Sequence, residues 1–355
     1  MADGAYARAG VDTSRADSAI SALVGVLRTI DIGRPSRVVL GSGHYATVID
    51  LNGVGLALST DGVGSKVIVA EQLSRYDTVG IDCVAMNVND LVCVGAEPIA
   101  LLDYIAVEDA DPDVLRQIGV GLKEGAEQAG VEIPGGELAQ LPELIRGHPS
   151  PRGFDLAAAS IGVVPLDGIV SGEAIAPGDA VIGLPSNGLH SNGYTLARRA
   201  LPDLFEAPSE LGGATVGDEL LRPTAIYVRA ALELLRSDGV DVHGLAHITG
   251  DGFLNLPRLS DGVGWSIDSP LPVPAVCGLI AERASVQAED MWETFNMGCG
   301  FCCVVPAEHA DAAIELLARR HPGAATIGSV TDRPGLVEIP AAGLAGRRGE
   351  GFHRA

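Results

Sequence analysis

Lysine is nearly missing from this sequence. Only Lys66 and Lys123 occur, and the other 22 of the 24 basic positions are arginine. Acidic residues number 46, so the formal net charge is −22 and the pI is near 4.6. That balance argues against nucleic acid or an anionic membrane as partner, because both call for a cationic surface. The acidity fits either a high-salt cytoplasm or a GC-rich genome and says nothing about fold. No apolar run reaches the ~20 residues a spanning helix needs. The opening MADGAYARAGVD has no basic stretch followed by an apolar one, so no signal peptide is expected. No GxxxxGK[ST] precedes Lys66, which excludes a Walker A loop there. The six cysteines stand in apolar context with a single CxxC, Cys299 to Cys302. They read as buried, reduced thiols of a cytoplasmic protein rather than as a zinc or redox site.

What is present suits two sizeable cores. Apolar residues make up 47% of 355 positions, and a prior of roughly 150 residues per domain suggests two domains. Residues 10–30 read as a helix docked on the surface through Ile20, Leu23, Val24 and Leu27. Strands follow at 37–40 and 54–58. A helix over 81–94 carries Asn87, Asn89 and Asp90 on or beside its polar face. A strand is expected over 99–107, then a helix over 111–128 capped by Asp111 with Pro112 in its first turn. Next come a short strand, 131–133, running into Pro134-Gly135-Gly136-Glu137, and a long strand over 154–164. After a boundary near 165–172, strands near 179–184, 242–248, 299–305 and 325–330 alternate with helices near 194–200, 220–236, 276–284 and 308–320. The fold class is α+β, with mixed α/β layers. Residues 1–166 form the first domain, 167–340 the second, and 341–355 a loose tail.

The stretch Ser59-Thr60-Asp61-Gly62-Val63-Gly64-Ser65-Lys66 follows the apolar run 54–58. Asp61 at a strand end can ligate a hard cation, and Gly62 and Gly64 let the backbone approach a ligand. Exposed N–H groups and Lys66 suit a phosphate. A strand with a tight turn is the plain alternative. Asp90 in NVND and Glu137 in GGE complete a carboxylate set for Mg²⁺, which binds through a few carboxylates plus substrate phosphates. The alternative is that Asp90 is solvated on a helix face and Glu137 caps a helix. GLHSNG, 188–193, places His190, Ser191 and Asn192 before a helix, where capping explains the last two but not the histidine. Thr249-Gly250-Asp251-Gly252 with Arg258 nearby has the makings of an anion site.

Taken in order, STDGVGSK, DTVGIDCVAMNVNDLVCVGAEP, PGGELAQLPE, GLHSNGYTLARR, LAHITGDG and FNMGCGF resemble the aminoimidazole ribonucleotide synthetase family (phosphoribosylformylglycinamidine cyclo-ligases). The resemblance runs collinearly over roughly residues 5 to 335. It implies a homodimer whose N-terminal domains share a β-barrel, a C-terminal α/β sandwich domain, and ATP held between domains and across the dimer seam. On that resemblance Asp61, Asp90 and Glu137 hold Mg²⁺, and Asp61, Gly62, Gly64, Ser65, Lys66 and Asp90 form the ATP site. Lys66 faces the phosphates. His190, Ser191, Asn192, Thr249 and Gly250 contact formylglycinamidine ribonucleotide, and Arg258 takes its 5′-phosphate. Lys66, His190 and His44 are the implied catalytic residues, His44 as a proton shuttle or else a satisfied loop histidine.

The sequence departs from the family at GSGHYATVID, where a longer glycine-rich loop is usual, and at Ser65, where threonine is usual. Asp251, standing where glycine is expected, would cap the following helix. Rival readings are formylglycinamide ribonucleotide amidotransferase, thiamine-monophosphate kinase and a non-catalytic nucleotide-binding regulator. A selenophosphate synthetase would need a reactive cysteine near the N-terminus, and the hydrogenase-maturation ATPase carries a C-terminal cysteine. The first cysteine here is Cys83 and the chain ends Phe352-His353-Arg354-Ala355.

Overall fold

A computed structural model describes residues 13–355, with side chains from Ser18 onward. Helix α1 (Thr13–Leu27) covers most of the expected 10–30, and residues 10–12 lie outside the described region. Its apolar face was expected to dock on the body. Instead Ile20, Leu23 and Leu27 are 57%, 60% and 51% exposed, so that face is uncovered in the single chain.

The first half builds one sheet from β1 (Val38–Leu40), β2 (Thr47–Leu51), β3 (Val54–Gly62), β4 (Glu97–Val107), β5 (Glu132–Gln140) and β6 (Phe154–Pro165), in the order β1-β2-β3-β6-β4-β5. Asn52 and Gly53 at positive φ close the β2–β3 hairpin, the pair such a tight turn selects. Helices α2 (Val67–Leu73), α3 (Val79–Cys93) and α4 (Pro112–Ala129) complete this half. Asp111 caps α4 by accepting from the Asp113 and Val114 N–H groups, and Gly130 ends it in the left-handed region, as the sequence signals require.

One expectation changes here. The strand at 131–133 does not stop at Pro134. β5 runs on to Gln140, because β4 offers a parallel partner with Leu102 opposite Gly135 and Tyr104 opposite Glu137. Gly136 is obligatory in that pairing, since a Cβ there would lie 2.3 Å from Asp103 Oδ1.

Helix α3 organises the molecule. Every residue in it is buried except Asp90. Gly80 lets it sit directly on α4, where an added Cβ would come within 2.2 Å of Leu122 N. The other side of α3 meets the second half, so one core joins the two halves of the chain.

That second half is an eight-stranded sheet of β7 (Ala180–Pro185), β8 (Gly244–His247), β9 (Gly264–Ser266), β10 (Cys299–Val305), β11 (Ala325–Thr331), β12 (Leu336–Ile339), β13 (Leu344–Arg347) and β14 (Gly351–Arg354), in the order β14-β13-β12-β9-β11-β7-β10-β8. Residues 341–355, expected to be a loose tail, instead pair as the β13–β14 hairpin and bury Leu344 and Phe352. Helices α5 (Tyr194–Ala200), α6 (Val216–Leu220), α7 (Val228–Leu235), α8 (Ala275–Arg283), α9 (Ala288–Thr294) and α10 (Ala310–Ala318) pack with it. Of the helix expected over 220–236 only α7 forms, starting at Val228, while α6 has already ended at Leu220. Pro223 disfavours helix at Arg222, and the segment between the two helices carries contacts described below.

Candidate active site

Asp61 lies one residue from the end of β3, half-buried. Its Oδ1 accepts from the Gly62 N–H at 2.7 Å, and its carbonyl accepts from Asn87 Nδ2 at 3.1 Å. Asp90, the one unburied residue of α3, accepts from His247 Nδ1 at 2.9 Å. Asn89 Nδ2 reaches His247 Nε2 at 3.4 Å, which assigns the ring proton to Nδ1 and makes His247 the donor to Asp90. Asn89 also donates to the Ala225 carbonyl and accepts from the Tyr227 N–H, both at 2.9 Å. The three polar residues of NVND, expected beside a polar face, thus each hold a separate piece of the site, and Asn87 and Asn89 are wholly buried.

Burial pushes the Asp61 carboxyl up to about 6, with the Asp90 charge adding to the rise. The Gly62 N–H, His247 and Arg258 pull the other way. Two adjoining carboxylates in a partly dry cleft repel each other, and a bound cation would relieve both.

Glu137 does not join them. It is exposed on edge strand β5, and the register Asp61–Ala158–Asp103–Gly136 places β5 three strands from β3. At ~4.8 Å per strand that is roughly 14 Å between backbones, too far for one ion to be shared. Among the described residues, no three His, Cys, Asp or Glu side chains gather closely enough to cage a metal unaided. The same register shows a residue the sequence reading missed. Asp103 points to the Asp61 face of the sheet, half-buried, its carboxyl raised by burial. A carboxylate inside the otherwise apolar LLDYIAV was the available signal.

Lys66, expected to face phosphates, is fully buried in an ion pair with Asp82, also fully buried, at 2.9 Å. Burial lowers its ammonium pKa, opposed by Asp82. Gly62 allows β6 to pass close, since a Cβ would sit 3.1 Å from the Leu156 carbonyl oxygen, whereas Gly64 is needed for its φ of +68°. Ser65 Oγ lies 3.3 Å from Thr195 Oγ1.

The loops 188–193 and 249–252 do meet: a Cβ on Gly250 would lie 3.7 Å from Asn192 Oδ1. Ser191 Oγ pairs with Thr224 Oγ1 at 3.3 Å. His190 is buried and neutral, with Nε2 accepting from the Asn187 N–H at 3.2 Å and Nδ1 without a partner. Thr249 forms an isolated bridge with Asp251, and Asn255 Nδ2 holds the Gly250 and Gly252 carbonyls at 2.6 and 2.8 Å. Asp251 takes φ +72°, which accounts for glycine being usual there. It occupies the N-cap position of the 3₁₀ turn 252–258 but makes no side-chain cap bond, contrary to the capping expectation.

Arg258 stacks 4.1 Å from the Tyr45 ring centroid and donates to the His44 carbonyl at 2.9 Å, while its Nε lacks a partner. The short loop before β2 is thereby fastened to the second half. His44 has no partner on either ring nitrogen. Burial, aided by Arg258, lowers its pKa to about 4, so it is neutral at physiological pH.

Against known proteins, residues 43–164 match the family described as "AIR synthase related protein, N-terminal domain", and 176–339 match its "C-terminal domain". The chain is 50% identical to a protein of Methanothermobacter thermautotrophicus named phosphoribosylformylglycinamidine cyclo-ligase, over 95% of this chain and 97% of that one. A Thermococcus kodakarensis protein of the same name is 47% identical over 93% and 96%. Among solved structures, the hydrogenase maturation protein HypE in complex with ATP superposes with TM-score 0.59 at 22% identity, covering 85% of this chain and 86% of that one. AaThiL complexed with AMPPCP and TMP gives 0.57 at 17%, covering 84% and 87%. At these identities the structures share the fold alone.

Proposed function

The chain belongs to the AIR synthase related family, and on that premise we infer that it converts formylglycinamidine ribonucleotide and ATP into aminoimidazole ribonucleotide, ADP and phosphate. It is an ATP-dependent cyclo-ligase of purine biosynthesis. The observation that carries this reading is near-full-length identity of 43–50% to proteins of that name.

The chemistry follows from a poor leaving group. The formyl amide oxygen takes the γ-phosphoryl group of ATP, which releases ADP. The amidine nitrogen then attacks the activated carbon, and the C–O bond breaks as phosphate departs. Loss of a proton leaves the imidazole. Catalysis of this kind is mostly positioning and charge neutralisation.

In our reading Asp61 and Asp90 hold Mg²⁺, with the Asp61–Gly64 backbone and Ser65 beside the nucleotide. The fit rests on their adjacency and on the raised Asp61 carboxyl, which a cation would lower. The ion would supply charge neutralisation on the phosphates. Asp103, in register with Asp61, is a better-placed third carboxylate than Glu137. The 188–193 and 249–252 loops would receive the ribonucleotide, and the partnerless Arg258 Nε suits its 5′-phosphate.

We also read the protein as a cytoplasmic homodimer. Its first sheet is open, not a barrel, and its outer face exposes Leu58, Ile99, Leu102, Tyr104, Ile161 and Val163, an apolar surface that a second copy would cover. A coupled assay tests the activity: purified protein with ATP, Mg²⁺ and formylglycinamidine ribonucleotide is expected to release ADP and aminoimidazole ribonucleotide in equal amounts. ADP release with thiamine monophosphate instead would contradict it.

A further inference from the structure

Lys66 sits five residues after Asp61, separated from it by the left-handed Gly64. Its Nζ donates to Asp82 Oδ1 at 2.9 Å, to the His190 carbonyl at 3.1 Å and to the Arg222 carbonyl at 2.5 Å. An ammonium has three N–H bonds, so this set is complete and leaves none for a phosphate. Asp82 Oδ1 also accepts from the Thr224 N–H at 2.7 Å and from its hydroxyl at 2.6 Å. One ion pair in the first half therefore fastens two separate segments of the second, at 190 and at 222–224. Those segments are also tied to each other, through Asn187 Nδ2 on the Pro223 carbonyl at 3.4 Å and through Ser191 on Thr224.

The conformation being held is a costly one. His190 takes φ +62°, a region that penalises side chains bearing a Cβ. In that conformation its carbonyl reaches the buried ammonium. A buried ion pair is by itself a weak source of net stability, because desolvation offsets most of the attraction. Fixing one loop geometry is a use that such a pair can serve.

We propose that Lys66 is a positioning residue, a bolt between the two halves that sets the 186–193 loop for the ribonucleotide, and not a ligand of the ATP phosphates. This rests on the cyclo-ligase reading above for the loop's role.

The test is Lys66→Met/Asp82→Asn beside wild type, which removes both charges together and leaves neither buried alone. kcat/KM for formylglycinamidine ribonucleotide is expected to fall about tenfold to a hundredfold, the scale of a loop displaced by about an ångström. KM for ATP should stay within about twofold. Hydrogen exchange should quicken at 187–192 and stay unchanged at 61–63. A KM for ATP that rises in step with the lost activity would overturn the proposal. So would a variant that melts lower yet shows wild-type kinetics and exchange. If the double variant does not fold, Lys66→Gln/Asp82→Asn, neutral at both positions but still able to hydrogen-bond across the two halves, should move the same readouts less far; no movement would overturn the proposal. Wild-type turnover in the same assay separates failure of the cyclo-ligase reading from failure of this one, since the exchange measurement does not depend on turnover.

Discussion

His44 shows at the scale of one residue how burial sets a charge. Its folded pKa is about 4 against 6.5 for the free side chain. Below pH 6.5 the unfolded chain binds a proton that the folded chain refuses until about pH 4, so this group's contribution to stability falls as pH drops through that window. The loss should reach roughly 2 kcal/mol by pH 5, at 1.36 kcal/mol per pKa unit. Urea unfolding of wild type and His44→Gln at pH 7 and pH 5 should show the wild type losing more. Asp61, whose raised pKa acts in the opposite direction, is common to both proteins and cancels. Equal losses would mean that His44 is solvated, which would reopen a proton-shuttle role. Neutral and held near pKa 4, it is a weak base for the amidine proton.

Among the elements, α3 carries the most consequence. It is buried nearly all round, rests on α4 through Gly80, and sends Asp90 to the cleft. Gly80→Ala would drive a methyl to 2.2 Å from the Leu122 backbone. Overpacking against main chain should cost about 1–3 kcal/mol, read as a lower melting temperature. Much of this layer was legible in the sequence. The α4 caps, the apolar run before Asp61 and the polar NVND within an apolar helix are local signals, and local signals survive without the fold. Lys66 was misplaced because its partners come from positions 82, 190 and 222, and no local pattern says that a lysine after DGVGS turns inward. Glu137 was misplaced for the same physical reason: only the parallel pairing of β4 with β5 shows how far it stands from Asp61. The β13–β14 hairpin was invisible because short strands with glycine at Gly346, Gly349 and Gly351 read as coil until a sheet edge is there to pair with.

At the scale of the whole molecule, the first sheet leaves its outer face apolar and open, with Leu102 54% and Ile161 39% exposed. If a second copy covers that face, Leu102→Glu should shift the protein from dimer to monomer in sedimentation velocity, since a buried unpaired charge at an apolar contact costs several kcal/mol. An unchanged dimer would place the interface elsewhere, the uncovered face of α1 being the next surface to examine.

Four proteins in one assay address directly where the proposed nucleotide and its cation sit. Wild type, Asp61→Asn, Asp90→Asn and Glu137→Gln would each be given ATP, Mg²⁺ and formylglycinamidine ribonucleotide, with aminoimidazole ribonucleotide measured. Loss of a charge that acts on the phosphates should cost Asp61→Asn and Asp90→Asn about a hundredfold or more in kcat/KM, while Glu137→Gln stays within about threefold of wild type. An Asp61→Asn protein as active as wild type, or a Glu137→Gln protein as impaired as the other two, would contradict the site described here.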